Sequence, residues 1–278
     1  MVAGIAAALL LSFPPAAAAV KVDAGISNTC AVDQSREVAC WGNNGNGQST
    51  PLGGKFKSVT AGGFHACGLR PSGIARCWGF DGLGQSSPPG GVFKGASAGD
   101  NHTCALRQSR KVRCWGLDSS GQSSPFPATF DSVSAGRAHT CGVRTTGRVR
   151  CWGDDGDDQA SPPPGQFSTV SAGDSHTCGL RPSGRARCWG DDGDDQASPP
   201  PAKFKRFSAG GFHNCGVRMS GKLRCWGSDS TGQSSPSGAE FRSVTTGNGH
   251  SCGVRTDQRV RCWGSNSFGQ STVPPAFG

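Results

Sequence analysis

The sequence of 278 residues contains no tyrosine and only two methionines, and all its histidines and cysteines belong to an internal repeat. No thiol is therefore left over as a nucleophile, and the serines, mostly in loops, have no separate base to activate them. Carboxylates in loops are the only remaining candidates for catalysis. These absences predict a protein that is not an enzyme and needs no cofactor.

The sequence also lacks the close Cys-x2-Cys or Cys/His pairs that zinc sites use. Its six histidines share one repeat position: His65, His102, His139, His176, His213 and His250. Equivalent positions on adjacent sheets lie about 10 Å apart, whereas zinc requires imidazoles about 2 Å from one ion. We therefore expect no metal site and interpret each histidine as the partner of a hydrogen bond that stabilises a turn.

Long apolar runs are missing beyond the N-terminus. Residues 1–19 combine a short apolar core with small residues that suit cleavage near Ala19, which predicts a signal peptide, although no basic residue precedes Lys21. The segment is short and contains Pro14 and Pro15, which disfavours a membrane span. We expect residues 20–278 to form one secreted or periplasmic domain without stable membrane insertion.

The chain contains instead a strict repeat of 37 residues, seen in the spacing of all seven tryptophans. Each tryptophan lies in a Cys-Trp-Gly triplet, and a second cysteine lies ten positions before the first. A fixed period of this length indicates stacked supersecondary units. The abundance of glycine (44) and proline (18) is typical of turn-rich all-β proteins.

Each repeat predicts three short strands joined by tight turns, with a possible fourth strand at Gly-Gln-Ser. In the fifth copy, a hairpin centred on Ser183 places Cys178 opposite Cys188, at a Cα separation of about 4.5 Å that suits a disulfide. An exported chain with evenly spaced cysteines favours the same interpretation. The predicted bridges are Cys30–Cys40, Cys67–Cys77, Cys104–Cys114, Cys141–Cys151, Cys178–Cys188, Cys215–Cys225 and Cys252–Cys262.

The repeats are expected to close into a ring. Alternation puts Trp189 on the face opposite Cys188, so both faces of a sheet carry bulky groups and need a neighbour. Radially packed sheets provide this, which predicts an all-β, seven-bladed β-propeller. A phenylalanine opens six repeats, but Ala19 holds that phase in the first. We expect Phe277, near the C-terminus, to supply the missing ring and close the propeller.

Twelve arginines recur at two repeat positions, three residues after the first cysteine and just before the second. We expect them to lie over or near the tryptophan rings, where cation–π attraction would hold them. Most of the net charge of +9 is then part of the scaffold, and nucleic acid is not an expected partner.

Strand direction places the Ala-Gly-x-x-His turn and the loop after Cys-Trp-Gly at one end of every blade. Most sequence variation lies there, and exposed aromatics beside acids suit a protein-binding face. Packing of Phe64 and Phe212 against neighbouring blades is the alternative. The candidate residues are Phe64, Phe80, Leu83, Asp100, Asn101, Leu117, Asp118, Arg137, Asp154, Asp155, Asp174, Asp191, Asp192, Phe212, Asn248 and Phe268.

The fourth and fifth repeats share the segment DDGDDQASPPP, which contributes eight of the nineteen acidic residues. We interpret these segments as solvated turns, with a basic partner as the alternative. They are not EF-hand loops, which need ligands at alternate positions.

The unit A-G-x-x-H-x-C-G-[LV]-R…G-x-x-x-C-W-G-x4-G-Q-S resembles the repeat of the regulator of chromosome condensation superfamily, which forms seven-bladed propellers. The compact repeat and export signal are similar to those of the β-lactamase-inhibitory protein II type, and the paired cysteines resemble crinkly-type ectodomains of plant receptor kinases. Nuclear exchange-factor members lack the paired cysteines and have longer blades, so their activity is not expected here.

The resemblance implies a secreted, monomeric propeller that binds another protein, with inhibition of a secreted or periplasmic enzyme such as a β-lactamase as its sharpest form. A cell-surface or cell-wall recognition module is the alternative. A propeller lyase or hydrolase is a third, which would need carboxylates converging on the central channel.

Overall fold

A computed structural model describes residues 19–278, and within this range the secondary structure consists of twenty-one β-strands. They form seven antiparallel sheets of three strands, each sheet built from three consecutive strands. Blade 1 comprises β1–β3, and the numbering continues to blade 7, which comprises β19–β21. The predicted seven-bladed propeller is confirmed.

The strands of blades 1 to 4 are β1 (Ala19–Ala24), β2 (Asn28–Asp33), β3 (Val38–Gly42), β4 (Ser58–Ala61), β5 (His65–Leu69), β6 (Ala75–Gly79), β7 (Phe93–Ala98), β8 (His102–Arg107), β9 (Val112–Gly116), β10 (Phe130–Ala135), β11 (His139–Arg144) and β12 (Val149–Gly153). Those of blades 5 to 7 are β13 (Thr169–Ala172), β14 (His176–Leu180), β15 (Ala186–Gly190), β16 (Phe204–Ala209), β17 (His213–Arg218), β18 (Leu223–Gly227), β19 (Phe241–Thr246), β20 (His250–Arg255) and β21 (Val260–Gly264).

The register of the outer hairpins brings the two cysteines of each blade face to face, as Cys178 and Cys188 show in blade 5. All seven predicted disulfides form, with Cα separations of 4.0–4.1 Å. The Gly-Gln-Ser segments are turns rather than strands, so the possible fourth strand does not form in the described part of the chain.

A phenylalanine packs in the seam between each pair of neighbouring blades. Phe167 lies flat on the middle strand of blade 5 over Gly179, where a Cβ would come within 2.4 Å of the ring. It also contacts Trp189 of its own blade and Val143 of blade 4. The seven Phe–Trp pairs have centroid separations of 5.6–6.1 Å, within the range of favourable aromatic pairs.

The C-terminal tail closes the ring as predicted. Phe277 packs against Trp41 of blade 1 at 6.1 Å and joins a cluster with Val254 and Val260 of blade 7. Its carbonyl accepts a hydrogen bond from the backbone N–H of Val260 at 2.7 Å. The chain end therefore occupies the seam position that Phe56 occupies between blades 1 and 2.

The histidines act between blades, which corrects the predicted role within a turn. Each histidine Nε2 lies 2.6–2.9 Å from a hydroxyl or amide oxygen on the middle strand of the next blade. In one such pair, the Thr103 hydroxyl contacts His65 and donates to the Gln85 carbonyl, which also accepts from the Trp115 indole. This network links neighbouring blades at six of the seven seams.

The predicted contacts of the arginines with tryptophan rings are wrong, because the arginines that contact an aromatic ring contact phenylalanine. The guanidinium carbons of Arg70, Arg107 and Arg181 lie 4.0–5.4 Å above the phenylalanine that opens their own repeat. The Trp rings lie in the seams, where six of the seven are buried and Trp263 is half-buried, and each indole N–H donates to a glutamine carbonyl. Arg150 contacts Phe126, which lies in a linker.

Within residues 19–278, no helix is long and apolar enough to cross a membrane. The predicted signal peptide lies outside the described residues except for its last residue, Ala19, where β1 begins.

Candidate functional site at the loop face

Two kinds of loop meet at one end of every blade. The Ala-Gly-x-x-His turn joins the inner to the middle strand, and the loop after Cys-Trp-Gly leaves the outer strand. A backbone hydrogen bond ties the two together, as between the Phe80 N–H and the Phe64 carbonyl at 2.9 Å. We call the surface formed by these two sets of loops the loop face, and the opposite surface, with the Pro-Ser-Gly-type hairpins, the hairpin end.

The two ends differ strongly in charge. In the described chain, Arg137 is the single cation on the loop face, whereas 27 of the 28 Lys and Arg residues lie elsewhere. Thirteen of the nineteen acids belong to the loop face: Asp81, Asp100, Asp118, Asp154, Asp155, Asp157, Asp158, Asp174, Asp191, Asp192, Asp194, Asp195 and Asp229. The basic overall composition therefore conceals an acidic face.

Large apolar side chains are exposed on this acidic face. The exposed fractions are 38% for Phe64, 41% for Phe212 and 57% for Phe268. Phe80 and Leu83 are exposed as well. Phe64 and Phe212 are therefore not fully buried against neighbouring blades, and part of each ring faces solvent.

Beside Phe212 the loop face has a recess of about 290 Å³. Ile26 of blade 1 contributes to one wall, and Thr231 and Asn248 contribute from blades 6 and 7. The recess joins an exposed aromatic ring to hydroxyl and amide groups. Such a combination suits the insertion of a partner side chain.

Several acids of the loop face hold their own loops in shape. The Asp118 carboxylate accepts a hydrogen bond from the Ser123 N–H at 2.7 Å and another from the Ser124 hydroxyl at 2.6 Å. Asp155 and Asp192 make the equivalent pair of bonds in blades 4 and 5. These aspartates were predicted as partner-binding residues, and the structure gives them a second role that the repeat phase could have indicated.

Asp154 and Asp191 are engaged in a similar way, because each accepts a hydrogen bond from the side-chain amide of the glutamine five residues later. The other acids of the two DDGDD segments make no side-chain hydrogen bond to described residues: Asp157, Asp158, Asp194 and Asp195. Asp158 and Asp195 have φ near +60°, at positions that are glycine in the other five blades. These four carboxylates are the ones available to a partner.

The central channel opens onto the loop face among Asp100, Arg137, Asp174 and Asn248. The Asn248 side-chain amide donates to the Asp174 carboxylate at 2.9 Å, which joins blades 5 and 7 across blade 6. Gly211 of blade 6 leaves room for this contact, since a Cβ there would come within 2.6 Å of Asn248. Asn101 lies beside this mouth, half-buried, as does Leu117 in the neighbouring loop.

Electrostatics at the mouth favour protonated carboxyls. Burial, together with the Asp174 charge, raises the pKa of Asp100 to about 7, although Arg137 opposes the shift. Burial likewise raises the pKa of Asp174, against the influence of Arg137 and the Asn248 hydrogen bond. The mouth therefore changes charge near neutral pH.

Asp23 is a channel residue that the sequence analysis missed. It takes the place of the serine or threonine whose hydroxyl, in the other blades, accepts a backbone N–H from the next inner strand. Its carboxylate accepts from the Ala61 N–H at 3.0 Å and the Thr245 hydroxyl at 2.8 Å. Burial raises the pKa of Asp23. The aligned repeats show the substitution, since the other six residues at this position are serine or threonine.

The channel is narrow, with a volume of about 120 Å³, enough for a few water molecules. Among the described residues, no cluster of three or more His, Cys, Asp or Glu side chains could hold a metal ion. The side chains of Asp23, Asp100 and Asp174 nevertheless place three carboxyls on the channel wall. The spacing of the repeated loops did not predict that these carboxyls would meet there. The volume limits this site to water or a very small ligand.

A known repeat family matches the chain in each of its seven repeats. The model of the regulator of chromosome condensation (RCC1) repeat matches seven segments: residues 19–48, 56–85, 93–122, 130–159, 167–196, 204–233 and 241–270. No curated protein sequence matches the chain significantly.

Solved structures with similar folds include two plant receptor ectodomains. The entire ectodomain of the Physcomitrella patens receptor kinase CR4 is 28% identical, with a TM-score of 0.77 over 89% of this chain and 74% of that one. The crinkly ectodomain of the Arabidopsis thaliana receptor kinase ACR4 is also 28% identical, with a TM-score of 0.74 over 89% and 96%. Human WBSCR16, at 15% identity and a TM-score of 0.76 over 86% and 87%, shows the fold alone.

Proposed function

Since this chain belongs to the RCC1 repeat family, we propose that it is an extracellular recognition module that binds another protein through its loop face. The observation that carries the proposal is the set of exposed phenylalanines on a surface with thirteen acids and one cation. Aromatic anchors surrounded by polar groups are typical of protein-binding surfaces.

The charge distribution specifies the partner's chemistry. An acidic surface of this density attracts a basic patch and repels an acidic one, which affects the association rate and specificity more than the final affinity. The free carboxylates of Asp157, Asp158, Asp194 and Asp195 provide this attraction, while Phe64 and Phe212 provide the apolar contacts. We therefore expect a partner with a basic surface that includes at least one apolar protrusion.

An extracellular location is consistent with seven disulfides, because such bonds persist in oxidising compartments. The similar plant structures are likewise receptor ectodomains. We extend the proposal to secretion after removal of the N-terminal segment and to a monomeric state. The residues that recur in every repeat pack the blades together or form their disulfides, which supports a binding role rather than a catalytic one.

Inhibition of a secreted or periplasmic enzyme is the narrower form of the proposal. A rigid face with the recess beside Phe212 could cover an enzyme's active-site entrance. Purified protein is expected to inhibit a β-lactamase at micromolar concentration if this form holds. Full β-lactamase activity at that concentration would reject the β-lactamase assignment while leaving the recognition proposal in place.

The broader proposal is tested by affinity capture from culture supernatant and cell envelope. The wild type is compared with Phe64→Ser/Phe212→Ser on the loop face and with Ile74→Ser/Met219→Ser as a matched control. Ile74 and Met219 are exposed to 41% and 59% but lie at the hairpin end. We expect the first variant to lose its captured basic protein and the control to keep it. Equal capture by both variants would contradict the proposed face.

A further inference from the structure

Blade 4 departs from the repeat at its outer edge, away from the loop face. The residue four positions before the opening phenylalanine is Leu52, Pro89, Phe126, Pro163, Pro200 and Ser237 in blades 2 to 7. Only Phe126 is aromatic, and 39% of its surface is exposed. Its ring packs edge-on against Trp152, with centroids 6.3 Å apart. The linker before blade 4 thus places an aromatic ring on the outer wall.

Three arginines line the same cleft as this ring. Arg144 ends β11, and Arg148 and Arg150 flank Val149 at the start of β12. The Arg144 N–H bonds to the Arg148 carbonyl, so these two residues face each other across the hairpin. The guanidinium of Arg150 lies 4.1 Å from the centre of the Phe126 ring. With the strand pair clipped by Cys141–Cys151, the backbone from which the three arginines extend is held in place before any ligand binds.

The guanidinium groups of these arginines make no hydrogen bond or ion pair with described residues. At the position of Arg144, the same holds for Arg218, whereas Arg70, Arg107 and Arg181 donate to backbone carbonyls. Arg181 of blade 5 donates to the carbonyls of Pro164 and Gln166 and lies over Phe167. In blade 4 the corresponding segment instead has a bond between the Thr129 and Thr145 hydroxyls. The Arg144 guanidinium is therefore not held by backbone carbonyls as that of Arg181 is.

The result is a cleft of about 500 Å³ lined by Phe126, Arg144, Arg148, Val149, Arg150, Cys151, Ala160 and Pro162. We call it the blade 4 cleft. No acidic residue lines it. An arginine stacked on an aromatic ring keeps its in-plane N–H groups free, and these match the oxygens of sulfate, phosphate or carboxylate groups.

We propose that the blade 4 cleft binds a saccharide carrying a sulfate or phosphate ester. The three guanidinium groups bind the ester oxygens, and Phe126, Val149 and Pro162 contact the apolar face of a sugar ring. The cleft has room for one or two rings and presents a single exposed aromatic. A nucleic-acid strand, in contrast, is held by several aromatics that stack successive bases. This site is independent of the proposed loop-face function.

The test measures binding of a sulfated disaccharide, the same disaccharide without sulfate, a sugar phosphate and a short DNA strand by calorimetry at physiological salt. The test variant is Arg148→Gln/Arg150→Gln. The control variant is Arg185→Gln/Arg187→Gln in blade 5, which removes the same charge from the same repeat positions. Equal thermal midpoints for the two variants verify the fold.

We expect the test variant to lose affinity for the charged sugars by about tenfold or more, since it loses charge-assisted hydrogen bonds. We expect the control to stay within about twofold, and the uncharged disaccharide not to bind. Comparing the affinity for the sulfated disaccharide with that for the sugar phosphate identifies which ester is preferred. Equal losses in both variants would show attraction by net charge alone and would overturn the proposal. Preference for a short DNA strand over both sugars would also overturn it.

Discussion

The seam between blades 1 and 2 differs from the other six in lacking a link between middle strands. In the other six, a histidine Nε2 contacts a hydroxyl or amide oxygen of the next blade. Here Asn28 and Ala66 occupy the two positions. The Asn28 side chain is fully buried, and neither its amide nitrogen nor its oxygen makes a hydrogen bond within the described chain.

The seam at which the ring closes is therefore not the seam that lacks a hydrogen bond between middle strands. The seam between blades 7 and 1 joins the two ends of the chain, yet Thr29 contacts His250, the Ala24 N–H bonds to Thr245, and Trp41 donates to the Gln270 carbonyl. The seam between blades 1 and 2 is continuous in sequence but has an unpaired buried amide. Such a group costs about 1–3 kcal/mol. The structure therefore places its weakest seam next to the closure, not at it.

Acidification should produce the largest effect, because it acts on the histidine links of six seams, and the Asn28 seam has no such link. Burial lowers the pKa of His102, His139 and His213 to about 3, and those of the other three histidines are also lowered. The unfolded chain then binds protons below pH 6.5 more tightly than the folded one, so stability falls as pH falls.

Asp100 acts in the opposite direction, because its raised pKa makes the folded state the tighter proton binder between pH 7 and 3.8. The raised pKa values of Asp23 and Asp174 add to this gain, but six histidines outnumber three carboxyls. Urea unfolding followed by tryptophan fluorescence should show a net loss of stability, as a lower urea midpoint, between pH 7 and about 4.5. An unchanged urea midpoint would contradict the neutral, buried state of the histidines.

Removal of the closing ring should produce the next largest effect. Phe277→Ala deletes the contact with Trp41 and is expected to lower the free energy of unfolding by about 3 kcal/mol, the low end for a buried phenylalanine. Phe268→Ala removes an equally large but exposed ring and should change stability by less than about 0.5 kcal/mol. Similar losses in the two variants would mean that the tail does not close the ring.

The weak seam can be converted into the common type by Asn28→His combined with Ala66→Thr. The pair should add about 1 kcal/mol at pH 7, because it supplies the missing hydrogen bond and removes an unpaired amide. Each single change should gain less than the pair, which a double-mutant cycle measures. A seventh buried histidine should also steepen the loss of stability in acid. Additive single effects would show that the two positions do not interact.

The smallest effect is expected for Asp23, whose carboxylate takes the place of the hydroxyl acceptor found in the other six blades. Asp23→Ser restores the residue type of the other blades and keeps an acceptor for the Ala61 N–H. Because burial raises the pKa of Asp23, the substitution should stabilise the protein slightly at pH 7, by less than about 1 kcal/mol. The gain should shrink as the pH falls and should vanish only below the ordinary pKa of 3.8, where the carboxyl is neutral in both states. A gain that grows in acid would contradict the raised pKa.

The strict period carried enough information to predict the blades, the disulfides and the closing role of Phe277, since each follows from spacing and strand alternation. Contacts between repeats were harder to predict, because a period does not indicate whether a side chain turns toward its own blade or the next. The arginines were therefore assigned to Trp rather than Phe, and the histidines to their own turns. Asp23 was missed because a carboxylate can replace a hydroxyl as acceptor without changing the pattern.

Within the candidate site, exposure of Phe64 and Phe212 agrees with the predicted face, but the aspartates needed the structure. Asp118 and Asp157 look alike in sequence, yet the first is tied to two serines of its own loop and the second is not. Only hydrogen-bond geometry separates acids that shape a loop from acids that remain available. Their participation in partner binding stays a prediction.

The closure of the ring by Phe277 also fixes how the molecule can be displayed. Residue 19 pairs with Asp33 at the hairpin end of blade 1, and Gly278 lies beside Arg259 at the hairpin end of blade 7. Both positions therefore lie on the side away from the acidic loops. A protein immobilised on a sensor chip through a tag at either position would present the loop face to the solution, so the choice of tag would not alter which surface is sampled.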